Sequence, residues 1–299
     1  MSRQRATAFV PGHVTAFFSA HPDDRPVAAG SRGAGLTLTD GVTVRVSTTD
    51  GSGAAAAAVE PRTIRGEPGT IGAVEDALGA LGVTAGERVG ADGVAVAVET
   101  DLPIGAGFGV SGAATLGAAI AANAAFDCGR SENELIRIAH EAEVGRGTGL
   151  GDVVAQARGG VPIRLEPGAP GVGELDGIPA DSRVEYVTYG ELSTEAVLGG
   201  DTTALSAAGE RALGRLCEDP RLPTLMAQAR EFAADADLLV PEVATAIEAV
   251  DDAGGDAAMA MLGRTVFAIG TGLSDAGYDP SICRTDTAGA RLVRDAECE

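Results

Sequence analysis

Four glycines crowd the stretch LPIGAGFGVSGAATLGAAIAANAAF, at Gly105, Gly107, Gly109 and Gly112, and a run of small apolar residues follows them without a break. Glycine loses the most conformational freedom on folding, so this crowding implies a backbone that must approach something closely. A strand, a glycine turn and a helix start together form an anion site. Main-chain N–H groups point outward there, and the helix dipole favours negative charge. Without Cβ atoms such a turn can wrap a polyphosphate. The Ser111 hydroxyl stands where it could reach a phosphate-bound Mg²⁺. Two other readings stay open: a close helix–strand packing turn with no ligand, and a dinucleotide fingerprint. Gly107, Gly109 and Gly112 fit the fingerprint's G-x-G-x-x-G spacing, but it also requires a second strand ending in an acid about 20 residues on. Asp127 is followed instead by the helical CGRSENELIRIAHEAE.

Three further residues could carry chemistry. Arg32 lies between glycines in GSRGAG, and its planar guanidinium suits a carboxylate in bidentate fashion. His13, one of three histidines, follows Pro11-Gly12 at a strand end. Asp152 precedes VVAQA, where an aspartate serves equally as a helix N-cap. His140 precedes Glu141, but no H-E-x-x-H is completed, so zinc is not expected.

Composition narrows the partners. The 299 residues suffice for two domains, and 45% are hydrophobic, but aromatics make up only 3%, so Ala, Val, Leu and Ile must build the core. The net charge is −21, and no lysine occurs: all 22 Lys-plus-Arg positions are Arg. Such a chain repels nucleic acid and anionic lipid. It fits a salt-rich cytoplasm, where charge repulsion is screened, and in this it resembles haloarchaeal proteins. The missing lysine excludes Walker A, Schiff-base and protein-kinase chemistry. Four cysteines lie far apart with no C-x-x-C, as a reducing compartment allows. The N-terminal MSRQRATAFVPGH lacks a signal peptide's apolar run, and residues 112–126 are too short to span a bilayer. A cytoplasmic protein is expected.

The elements that must position these residues read as α+β in both halves. TAFVPGH predicts a short strand ending at Pro11-Gly12. GLTLTDGVTVRV alternates about the Asp40-Gly41 turn, as a hairpin does. Residues 69–83 predict an amphipathic helix, 92–103 a strand, and 110–126 a helix after the glycine turn. Ser131 with Glu134 forms a capping-box signal for the helix that follows. A Gly-rich loop and short helix lead into a strand ending near Leu165. The Pro/Gly-rich 166–182 reads as a linker. Beyond it come a strand at 183–189, two or three helices over about 194–252, a helix turning into a strand over 257–270, and a final strand with a short helix in ICRTDTAGARL.

Taken together, PGHVTAFF, GSRGAGLTL, GAGFGVSGA and GTGLGDVVAQ resemble the GHMP kinase superfamily, and their wording is closest to its archaeal pantoate kinase branch. The resemblance implies a GHMP kinase fold: a domain like ribosomal protein S5 domain 2 over 1–168 and a ferredoxin-like domain over 183–299. It implies ATP- and Mg²⁺-dependent phosphorylation of a small-molecule hydroxyl. For the named branch that means (R)-pantoate becoming 4-phosphopantoate on the route to coenzyme A, with another acceptor (homoserine or a mevalonate derivative) or a catalytically silent binding protein as alternatives. By the same resemblance the nucleotide phosphates sit on Pro103, Gly105, Gly107, Gly109, Ser111, Gly112 and Ala113. Relatives often carry two serines after the glycines; here Val110 takes the first place. Asp152 becomes the catalytic acid/base. The acid serving the metal with Ser111 is Glu143 or, second, Glu141, two residues apart and so unable to share a helix face. His13, Thr15 and Arg32 line the substrate, Arg32 holding the pantoate carboxylate ahead of Ser31 and Arg164. Relatives such as mevalonate kinase place a lysine beside the catalytic aspartate, so here an arginine or no cation takes that place. The third family motif is reduced in MAMLGRTVF to Gly263. A homodimer is the one macromolecular assembly expected.

Overall fold

The computed structural model describes residues 5–49, 62–83, 93–192, 200 and 202–293. Two long antiparallel strands, β1 (Arg5–His21) and β2 (Gly30–Thr49), open it. Their register runs from Arg5 opposite Ser47 to His21 opposite Gly30, with shifts between Pro11 and Gly12 and between Thr15 and Phe17. The strand expected to end at Pro11-Gly12 therefore continues to His21. Proline removes one ladder donor, and an irregularity in register absorbs that loss without ending the strand.

Six shorter strands complete the first sheet: β3 (Arg62–Ile64), β4 (Glu67–Pro68), β5 (Gly93–Thr100), β6 (Val161–Glu166), β7 (Glu174–Ile178) and β12 (Arg291–Val293). The order is β12-β1-β2-β5-β3-β4, and β6 joins β2 while pairing β7. The stretch 166–182 is thus no linker, because β7 returns along β6. Its prolines and glycines shape the turn, where Ala169 N–H donates to the Val27 carbonyl.

Helices α1 (Gly72–Ala80), α2 (Val110–Ala125), α3 (Glu132–Arg146) and α4 (Asp152–Arg158) accompany this sheet. The alanines of α2 permit a close approach to β1 and β2, with Gly117 against Val44 and Val10. Ser131 and Glu134 form the expected capping box at α3.

The second sheet has the order β11-β8-β10-β9, built from β8 (Arg183–Glu191), β9 (Asp256–Ala260), β10 (Gly263–Ile269) and β11 (Ser281–Arg284). Helices α5 (Thr203–Glu218), α6 (Leu222–Asp235) and α7 (Pro241–Asp252) fall between β8 and β9, and the short α8 (Gly272–Asp275) between β10 and β11. Strand, helices, two strands, helix, strand in this spatial order is the ferredoxin-like arrangement. Residues 257–270 form a hairpin rather than a helix turning into a strand. A short apolar run buried on both sides carries no periodicity to separate the two. ICRTDTAGARL likewise yields two strands and no helix. Asp286 accepts from Ala288 N–H and Gly289 N–H in the turn between them, and β12 returns to β1.

One buried apolar cluster runs through both sheets and their helices, and Phe18 on β1 packs on Phe232 of α6 with ring centroids 5.8 Å apart. Helix α5 crosses β1 so closely that a Cβ on Gly209 would stand 2.0 Å from the Phe18 carbonyl oxygen. Gly209→Ala is expected to lower stability by about 1–3 kcal/mol through overpacking. Gly214→Ala on the same helix, where a Cβ meets nothing within 4 Å, should raise it by up to about 1 kcal/mol. Urea unfolding in high salt reads both, and equal shifts would contradict the close crossing.

Candidate active site

The turn between β5 and α2 holds Gly105, Gly107 and Gly109 at φ of +79°, +89° and +62°, backbone that side-chain-bearing residues rarely adopt. Gly107 is also pressed by a neighbour: a Cβ there would lie 2.9 Å from the Met261 carbonyl oxygen. Gly109 is the N-cap of α2, with no side-chain cap and no acid in the first turn. The helix start thus presents its N–H end, with no carboxylate in its own first turn, to a cleft lined by Gly105, Gly107, Ser111 and Gly112. From α4, Gln156 Nε2 donates to the Gly109 carbonyl at 2.9 Å and pins the turn to the helix that starts at Asp152.

Asp152 is the acid that lines this cleft, and Glu143 lies behind the wall, on the hydroxyls of the lining residues Ser111 and Thr148. Glu143, on the last turns of α3, is buried, with 3% of its surface exposed. Its carboxylate accepts from Ser111 Oγ at 2.8 Å, Thr115 Oγ1 at 2.7 Å and Thr148 Oγ1 at 2.8 Å. Burial pushes its pKa above the ordinary 4.5; the three hydroxyls pull the other way, and the nearby Asp152 charge adds to the rise. Asp152 keeps its carboxylate a quarter exposed and accepts from His13 Nδ1 at 2.7 Å, with Thr15 Oγ1 at 3.5 Å. In this lysine-free chain the aspartate's partner is therefore a histidine rather than an arginine.

A second, smaller cavity meets the first at Asp152, Thr15 and Leu262. His13 reaches it with a buried Nε2 that has no hydrogen-bond partner. Arg164, on β6, lies on its wall. The side chain is buried, its guanidinium donates to the carbonyls of Leu150 at 3.0 Å and Gly168 at 3.1 Å, and Nε has no partner. No carboxylate within ion-pair reach balances it among the described residues. Burial lowers its pKa to about 10, and Asp152 holds it up. Phe17, Ala34, Leu150 and Pro162 supply apolar surface to the same cavity.

The residues expected from sequence fall out unequally. Gly105, Gly107, Gly109, Ser111, Gly112, Asp152 and Thr15 line one cleft, with Glu143 bonded behind Ser111 and His13 in the adjoining cavity. Pro103 and Ala113 do not line it: proline carries no N–H, and Ala113 N–H is engaged by the Gly109 carbonyl. Glu141 lies outside, exposed, with Arg137 at 3.7 Å one helical turn away. Arg32 lines the smaller cavity, but its Nη1 donates to Glu210 Oε2 at 2.7 Å and its Nε to the Leu165 carbonyl. It is thus already paired with an acid, whereas Arg164, ranked behind it from sequence, is not. His140 is buried on the Ala29 carbonyl, and burial lowers its pKa to about 4, so it stays neutral. Sequence reading missed Thr115 and Thr148, which hold Glu143, and Arg146, which lines the larger cleft while paired with Asp76. Arg146 is the one cation between Glu143 and Asp152 in the chain, a signal that was present in EVGRGTGLGD.

A family model for the GHMP kinases N terminal domain matches residues 71–160, from α1 to the end of α4. The chain is 35% identical over 269 residues to the pantoate kinase of Thermococcus kodakarensis, covering 88% of this chain and 86% of that one. It is 32% identical over 282 residues to the pantoate kinase of Methanospirillum hungatei, covering 90% and 89%. Among solved structures, a phosphotransferase related to the CoA biosynthesis pathway superposes with a TM-score of 0.83 at 31% identity, over 97% of this chain and 99% of that one. A homoserine kinase from Cytophaga hutchinsonii, at 18% identity and a TM-score of 0.65 over 98% of each chain, shares the fold. The glycine turn, the buried glutamate and the aspartate at the head of α4 are thus set in a known frame, and the chain belongs to the pantoate kinase family of the GHMP kinases.

Proposed function

We propose that the chain transfers the γ-phosphoryl group of ATP to the C4 hydroxyl of (R)-pantoate. The observation that carries this reading is Arg164: a buried guanidinium with no acid in ion-pair reach among the described residues, facing the same small cavity as the Asp152–His13 pair. A substrate carboxylate would complete it with two charge-assisted bonds. The acceptor then lies with its hydroxyl toward Asp152 and its dimethyl carbon against Phe17, Leu150 and Pro162. Homoserine fits less well. Its ammonium would face Arg32 and Arg164, and the acid that lines the cavity, Asp152, is already bonded to His13.

In the transfer, α2's N-terminal N–H groups and the glycine turn hold the phosphates in line with the acceptor, and positioning with charge neutralisation supplies most of the rate. Asp152 accepts the hydroxyl proton as the new P–O bond forms, and His13 Nδ1 keeps the carboxylate aimed at that oxygen. Ser111 Oγ and the Glu143 carboxylate, 2.8 Å apart, are the hard oxygen donors that Mg²⁺ takes, and a buried glutamate with raised pKa and no cationic partner fits that use. The ion would neutralise phosphate charge. Arg146 lines the same cleft and would have to share its guanidinium between Asp76 and the phosphates.

ADP release in high salt, measured across pantoate, homoserine and mevalonate, should show turnover with pantoate; turnover only with another alcohol would overturn the reading. Arg164→Met should raise the pantoate KM by about 10- to 100-fold, the loss of a charge-assisted pair, with a smaller change in kcat. Arg32→Ala, which breaks an existing ion pair instead, should raise it less, and the reverse ranking would move the carboxylate to Arg32.

Glu143→Gln tests the metal ligand without relying on rate. Glu143's pKa is raised in the folded chain, so across the window from 4.5 upward the folded state holds more protons than the unfolded one. Stability is therefore lost as pH rises through that window. The glutamine variant lacks this loss, so its stability relative to wild type should increase from pH 4.5 to 8. Added Mg²⁺ with an ATP analogue should stabilise wild type at pH 8 and the variant less. Equal stabilisation of both would remove Glu143 from the metal site.

A further inference from the structure

The two cavities share three lining residues: Asp152, Thr15 and Leu262. Leu262 is the apolar member of that junction. It comes from the second sheet, at the tip of the β9–β10 hairpin, and this tip is wedged into the first. Met261 N–H donates to the Thr15 carbonyl at 2.9 Å, and Thr265 Oγ1 to the Ala106 carbonyl at 2.8 Å. A Cβ on Gly263 would lie 2.0 Å from that same Ala106 oxygen. The tip therefore has a fixed place between β1 and the glycine turn.

Leu262 sits there with φ of +63°. The other non-glycine residues with positive φ among those described are Arg65, Asp127 and Asp237, all polar. Aspartate visits this region readily, whereas a leucine without a local hydrogen bond is strained in it. A chain with 43 glycines places leucine where glycine would fit the backbone better. The side chain, not the turn, accounts for that choice.

We propose that Leu262 is the wall that keeps water out of the gap between the bound nucleotide and its acceptor, so that the phosphoryl group passes to the substrate hydroxyl and not to water. The proposal rests on the kinase reading above. In the reaction it suppresses, a water oxygen attacks the γ-phosphorus and the bond from that phosphorus to the bridging oxygen of ADP breaks. ADP and inorganic phosphate leave, and the water proton goes to Asp152 or solvent. Only water is needed as co-reactant, and Asp152 would serve it as well as it serves an alcohol. A dry junction is what separates the two outcomes.

The test compares wild type with Leu262→Gly, Leu262→Asn and Leu262→Met in ATP, Mg²⁺ and pantoate, measuring ADP and phosphopantoate separately. Thermal midpoints and affinity for a non-hydrolysable ATP analogue are read alongside. Wild type and Leu262→Met should form equal amounts of the two products. Leu262→Gly and Leu262→Asn should release roughly threefold or more ADP per phosphopantoate. The glycine variant's melting point should be no lower than wild type's, and the altered product ratio should persist at saturating ATP whatever the analogue affinity. A purely structural role would lower the melting point and both products together, keeping their ratio. That ratio, unchanged in both the glycine and asparagine variants of a wild type that does make phosphopantoate, overturns the proposal alone. A wild type that makes none overturns the kinase reading and this proposal with it.

Discussion

Negative charge held where water is scarce governs this site. Glu143 is buried on three hydroxyls, and Asp152 stands close enough to raise its pKa further. A nucleotide triphosphate would bring more negative charge to the same cleft. The chain answers without a single lysine. Helix α2 offers its uncapped N-terminus, Arg146 lines the cleft, and Ser111 with Glu143 offers a divalent ion its oxygens. The first is a fixed dipole and the last a site for a diffusible cation, and both remain effective where bulk salt screens surface charge.

Most of the architecture serves this arrangement. The alanine-rich α2 can lie flat on β1 and β2, which fixes the glycine turn over His13, whose N–H donates to the Phe108 carbonyl. Gln156 joins α4 to the same turn, so Asp152 cannot shift without disturbing the α2 cap. The second sheet contributes at two points: the β9–β10 tip against Ala106 and Gly107, and α5, whose Glu210 holds Arg32, Ser19 and His21 at the far edge of the smaller cavity. The site thus depends on residues from nearly the whole length of the chain, and β12 ties the C-terminal end back to β1.

Where local chemistry decided structure, the sequence was readable. The glycine spacing required positive φ, and Ser131 with Glu134 announced a helix start; Asp152, offered as an N-cap before VVAQA, is instead the first residue of α4, whose N-cap is Gly151 with no side-chain cap. Reading failed where the answer lay in distant partners. The sequence ranked Arg32 ahead of Arg164; only folding shows that Glu210, from α5, already satisfies the first while the second lies buried with no acid opposite among the described residues. Glu141 and Glu143 are separated by helical phase, which sets one toward Arg137 and solvent and the other among hydroxyls. The hairpin at 257–270 lacked periodicity because both of its faces are covered, and the Pro/Gly-rich 166–182 looked like a linker because turn residues and linker residues are the same residues.

A crystal structure with a non-hydrolysable ATP analogue, Mg²⁺ and pantoate would address the central claim most directly. The account predicts the phosphates on the amides between Gly105 and Gly112, the pantoate carboxylate on Arg164, and its C4 oxygen between Asp152 and the terminal phosphorus. A nucleotide bound away from the glycine turn, or a pantoate carboxylate that leaves Arg164 untouched, would contradict it.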